Sequence, residues 1–117
     1  MMNETDQLRA QERAEVLKAL AHPTRAYIVD LIAREGEHCV CELTERIGVD
    51  TSTVSRHLSL LKSAGILFDR KVGTTVYYNV TCTCISDFMK GLDTVLRSRH
   101  ERRQVAFGAT VAAQNPE

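Results

Sequence analysis

This chain is defined first by what it lacks. It has no apolar run of about 18 residues, so no segment is expected to span a membrane. Its first 17 residues are polar and acidic and contain no signal-peptide core, which points to the cytoplasm. It has no net charge, with 15 Lys and Arg against 15 Asp and Glu, which argues against a large nonspecific nucleic-acid binder. There is no internal repeat and no low-complexity stretch. There is also no catalytic constellation: no Ser/His/Asp set, no phosphate-cradling glycine loop and no paired acids placed for a cleft. An enzyme is therefore not expected. Finally, no cysteine stands outside two Cys-x-Cys pairs, Cys39 with Cys41 and Cys82 with Cys84. In a reducing cytosol such thiols stay free for metals or oxidants.

What is present fits one soluble domain of 117 residues, 44% apolar and 26% charged. Residues 1–103 read as the folded unit and residues 104–117 as a flexible tail. Helices are expected over Glu4–Leu20, residues 23–34, 41–47, 51–64 and 84–99. Pro23 opens the second, where its missing N–H costs little. Gly48 stops the third, and Thr51 or Ser52 starts the fourth. Tyr27, Ile28, Leu31 and Ile32 form one expected core stripe. Val54, Leu58, Leu60 and Leu61 form another. Residues 66–72 and Thr75–Val80 alternate and are rich in strand formers, with a hairpin turn at Gly73-Thr74. The fold class is thus mainly α with a small β-hairpin wing.

Residues 42–62 have the layout of a helix-turn-helix: a short helix, a tight turn at Gly48-Val49-Asp50 and a longer helix. The second helix presents Ser52, Thr53, Ser55, Arg56 and Ser59 near its start, where this motif enters the major groove. Arginine pairs bidentately with guanine, and hydroxyls reach bases or phosphates. His57 and Lys62 are expected to add backbone contacts, as are Arg70 and Lys71 on the wing. Between residues 51 and 75 the basic residues Arg56, Lys62, Arg70 and Lys71 face a single acid, Asp69, so a neutral chain still carries one basic face. A winged-helix protein–protein module that never touches DNA is the bland alternative. Arg56 and Lys62 on the exposed helix face speak against it.

Four stretches resemble the ArsR/SmtB family of metal-responsive winged helix-turn-helix repressors. They are Leu20-Ala21-His22-Pro23-Thr24-Arg25, then Cys39-Val40-Cys41-Glu42-Leu43, then the run from Ser55-Arg56-His57-Leu58 to Gly65-Ile66-Leu67, and last Arg70-Lys71 to Tyr77-Tyr78. The resemblance covers roughly residues 14–98. It implies a homodimer, joined through the first and last helices, that binds double-stranded operator DNA until an inducer releases it.

Cys39-Val40-Cys41-Glu42-Leu43 resembles the box of arsenic- and cadmium-sensing members, whose third cysteine is here Thr44. Cys82 and Cys84 are the expected complement. If residues 38–41 form a strand paired with the end of Thr75–Val80, facing Cβ atoms lie about 4.5–5.5 Å apart, and all four sulfurs meet in one subunit. Binding would then draw that strand toward the wing and shift the DNA-reading helix. Soft thiolates select As(III), Sb(III), Cd(II), Pb(II) or Zn(II). As(III) is placed first on the box resemblance, since three thiolates suit it and four suit tetrahedral zinc or cadmium. A redox or persulfide switch is the alternative, with a disulfide joining Cys39 or Cys41 to Cys82 or Cys84. Buried structural thiols are the remaining reading. His22 is expected to be structural, and His38 an outer neighbour of the thiols.

Overall fold

The computed structural model describes residues 1–112. Their order is α1 (Glu4–Leu20), α2 (Pro23–Glu35), β1 (His38–Cys39), α3 (Val40–Ile47), α4 (Thr51–Ser63), β2 (Leu67–Val72), β3 (Thr75–Val80) and α5 (Cys84–Ala112). They fall into two units, Met1–Ile85 and the stretch from Ser86 onward.

Each helix in the first unit begins on a residue suited to the task. Asn3 and Asp6 form a capping box at α1, each side chain accepting from the other's backbone N–H. His22 caps α2 through Nδ1, which accepts from Thr24 N–H at 3.1 Å, and Pro23 occupies the first turn. Asp50 caps α4, accepting from Thr53 N–H at 3.2 Å. Gly48 ends α3 in the left-handed region at φ 83°, a conformation that costs other residues a steric penalty. Its N–H bonds Thr44 O, which produces the tight turn of a helix-turn-helix.

The core lies where α2, α3 and α4 meet the sheet. Ile28, Val29, Leu31 and Ile32 of α2, Leu43 of α3, Val54, Leu58 and Leu61 of α4, and Leu67 of β2 are all buried. Each such side chain contributes roughly 1.5–3 kcal/mol by leaving water. Two expected core residues are not there. Tyr27 is exposed and Val29 is buried, so the α2 stripe keeps Ile28, Leu31 and Ile32 and exchanges Tyr27 for Val29. Leu60 is exposed because it stands about 100° round the helix from Leu61.

The sheet is antiparallel, in the order β1-β3-β2. Val72 opposite Thr75 closes the expected hairpin over Gly73-Thr74. α1 buries none of its residues, and Leu8 and Leu17 stand exposed on it. In the second unit, Phe88, Leu92, Val95 and Leu96 are exposed along α5. The last helix is longer than expected. It runs to Ala112 instead of ending near residue 99, so positions 104–112 of the expected tail continue it, and residues 113–117 lie outside the described residues.

Candidate nucleic-acid interface and thiol pairs

α4 presents a polar face opposite its buried stripe. Ser52, Arg56, Ser59 and Lys62 are exposed, and Thr53 and Ser55 are half-buried. Near its start the hydroxyls are already engaged: Thr53 Oγ1 donates to Asp50 Oδ1 at 2.7 Å, and Ser52 Oγ donates to Asp50 Oδ2. These bonds and the Thr53 N–H hold the Asp50 carboxyl down at about 2, so the cap is ionised at any ordinary pH. Lys62 Nζ pairs with Asp69 on the wing at 2.9 Å. Arg70 pairs with Glu37 and lies over the Tyr77 ring at 5.3 Å. Arg56 and Lys71 are exposed and make no ion pair among the described residues. The fold therefore brings the expected basic residues of α4 and the wing onto one unit. It leaves Arg56 on α4 and Lys71 on β2 as the cations most available to a ligand.

His57 lies elsewhere. Its ring is half-buried against His22, with centroids 4.6 Å apart, and its Nδ1 lies 3.4 Å from Arg25 Nη1. The residue expected to touch phosphate faces α2 instead. The signal was present in the spacing: Val54, His57, Leu58 and Leu61 follow the i, i+3, i+4, i+7 rule of a buried helix face.

The four cysteines are joined within their pairs, Cys39 to Cys41 and Cys82 to Cys84. The alternative redox reading placed a disulfide between the pairs, and that is not the one formed. Residues two apart already hold their Cα atoms 5.3 Å and 5.1 Å apart, within the span a disulfide bridges. The expected strand before α3 exists, but only at His38–Cys39, and its register differs from expectation. Cys39 faces Tyr77 and His38 faces Tyr78. In an antiparallel ladder, advancing from Cys39 toward Cys41 retreats along β3 toward Thr75. Cys82 stands five positions beyond Tyr77, past the end of β3 at Val80. The ladder therefore does not bring the two pairs face to face. No group of three or more His, Cys, Asp or Glu side chains gathers to hold a metal among the described residues.

Cys39 has a second role. It is the N-cap of α3: its Sγ accepts from Glu42 N–H at 3.3 Å, and Glu42 Oε1 accepts from Cys39 N–H at 3.0 Å. Cys39 is buried, while Cys41, Cys82 and Cys84 are exposed. His38 is also buried, its Nδ1 2.7 Å from Gly36 O and its Nε2 3.6 Å from Glu35.

Residues 22–67, from the α2 cap through the helix-turn-helix to the first residue of β2, match the arsR family of bacterial regulatory proteins. The arsenical resistance operon repressor of Escherichia coli is 37% identical over 101 residues, 86% of each chain. The chain belongs to the arsR family. Its fold is the winged helix-turn-helix, and the family's members are transcriptional regulators rather than enzymes. The arsenic resistance transcriptional regulator ArsR1 of Pseudomonas putida is 54% identical over 65 residues, 56% of this chain. That stretch is 51% of the relative, so the chain spans about half of its length. A solved homodimeric winged helix-turn-helix DNA-binding domain from Mycobacterium bovis superposes with a TM-score of 0.76 at 29% identity, covering 86% of this arsR-family chain and 93% of that one. No helix among the described residues is long and apolar enough to cross a membrane.

Proposed function

We propose that this arsR-family regulator is a cytoplasmic, homodimeric repressor that leaves its operator when a thiophilic metal or metalloid, As(III) first, binds its reduced cysteines. The observation that carries the reading is the position of Cys39, which is at once half of a Cys-x-Cys pair and the cap of the first helix of the DNA-reading motif. An ion that takes the Cys39 sulfur competes with Glu42 N–H for it and so loosens the start of α3. Soft thiolates favour such ions over hard ones. The relatives from P. putida and E. coli are named for arsenic resistance, which supports placing As(III) ahead of Sb(III), Cd(II), Pb(II) and Zn(II).

Cys39 and Cys41 are the primary ligands in this reading, with Cys82 and Cys84 completing the set. Because the β1–β3 register separates the two pairs along one chain, completion falls to the second copy of the dimer. The exposed apolar faces of α1 and α5 are the surfaces that pairing would cover. On DNA, Arg56 reads a base edge, Ser55 and Ser59 support it, and Lys62, Arg70 and Lys71 hold the backbone, with Ser52 and Thr53 reaching phosphate if they leave Asp50. Recognition helices of a dimer must match successive major grooves about 34 Å apart, so a small tilt of each motif costs much of the affinity.

A redox reading is favoured by a separate observation, the closure of both pairs as disulfides. Two thiols of one pair lose two protons and two electrons to a peroxide, which leaves as water. A gel-shift with DNA from the protein's own promoter separates the two readings. Release of the reduced protein by arsenite supports the metalloid reading. Release only by peroxide, reversed by dithiothreitol, replaces it.

A further inference from the structure

His57 and His22 form a joint between the DNA-reading helix and the helix behind it. Arginine carries donors only, so in the Arg25–His57 contact Nδ1 of His57 is the acceptor. Nδ1 of His22 is an acceptor too, since it takes Thr24 N–H to cap α2. Arg25 is itself anchored, its Nε donating to Ala19 O at the end of α1 at 2.6 Å. Three helices thus meet on two rings tilted 47° to each other, and each of these bonds needs a bare Nδ1. A proton there removes an acceptor and adds a cation. The charged or titratable groups facing His57 are His22 at the α2 cap, Arg25 on α2 and Arg56 on α4, while α1 contributes the Ala19 carbonyl that holds Arg25. All three facing side chains are basic. Burial first, and then these neighbours, hold the His57 imidazole below its ordinary range.

We infer that His57 is a positioning residue for DNA binding, holding α4 against α2 only while its own ring is neutral and accepts from Arg25, so that operator binding weakens in acid. The direction is diagnostic. Protonating a residue that touches phosphate strengthens DNA binding, whereas protonating this joint weakens it. The inference rests on the DNA-binding reading above, and its test has one arm that needs no DNA.

The test measures affinity for the promoter duplex at pH 7.5 and 5.5, at constant ionic strength and with circular dichroism confirming a folded chain. Wild type should bind about five- to tenfold more weakly at pH 5.5, a typical size for coupling between sites. His57→Gln keeps an acceptor for Arg25 that does not titrate, and should reduce that ratio to near one. His57→Lys carries the charge at both values and should bind weakly even at pH 7.5. His22, His38 and His100 are common to every variant, so the comparison isolates His57. Stronger binding by His57→Lys, or an equal acid loss in His57→Gln, would overturn the inference. The DNA-free arm is nitrogen NMR of the imidazoles. It should find Nδ1 of both rings unprotonated at pH 7.5 and the Thr24 amide shifting as His57 titrates. A protonated Nδ1 at pH 7.5 overturns the joint. If the duplex does not bind but the NMR behaves as stated, the DNA reading fails and the joint stands as a structural one.

Discussion

The two Cys-x-Cys pairs have the same spacing, and each closes on itself, yet they sit in different physical settings. Cys39 is buried, faces Tyr77 across the sheet and caps α3 with its sulfur. Cys82 and Cys84 are exposed at the start of α5, where Cys82 Sγ accepts from Cys84 N–H at 3.1 Å. In the proposed reading, a ligand at the first pair would disturb the start of α3 itself. At the second pair the link is less direct: Thr81, beside Cys82, bonds Gly65 O and Ile66 O just after α4. Equal spacing in the sequence therefore does not mean equal consequence for DNA binding.

The comparison can be broken or sharpened in several ways. The largest effect is expected in the core that carries the DNA-reading helix, where Leu58 is fully buried. Leu58→Ala should cost about 2–5 kcal/mol in thermal or chemical unfolding, because the cavity it leaves lies between α4 and its neighbours. Arg56→Ala should weaken operator binding by about 1–3 kcal/mol while leaving unfolding unchanged, measured by anisotropy at fixed salt. Between the pairs themselves, Cys39→Ala in the reduced protein should cost about 0.5–2 kcal/mol of stability as a lost cap. Cys82→Ala, at an exposed site, should stay within about 0.5 kcal/mol. Equal losses at the two positions would erase the distinction. The smallest effect concerns acid. Asp50 is held at about 2, below its unfolded value, so its support of α4 is complete above roughly pH 4 and is lost as pH falls toward 2. Asp50→Asn should remove that acid limb from a stability–pH profile, while the His57 limb remains. His57, also held low, contributes stability above its ordinary value that falls away as pH drops below it.

Much of this layout was legible in the chain. Helix starts at Glu4, Pro23 and Thr51, the stop at Gly48 and the hairpin at Gly73-Thr74 follow from local chemistry, and the structure places them there. Three features were not read. The register of β1 is set by tertiary packing, since a two-residue strand carries no periodicity of its own. The expectation that Cys39 and Cys82 of one chain face each other depended on that register and fell with it. His57 was assigned by residue type to phosphate although its spacing matched the buried stripe. Apolar residues of α1 and α5, among them Leu8, Leu17, Phe88 and Leu92, stand exposed in the single chain.

The central claim is that the first pair gates the DNA-reading motif. It is tested most directly by titrating arsenite into the reduced protein bound to fluorescent promoter DNA, comparing wild type with Cys39→Ser and with Cys84→Ser. The account predicts full release of wild type, none of Cys39→Ser and partial or weakened release of Cys84→Ser. Full release of Cys39→Ser at the wild-type arsenite concentration would contradict it.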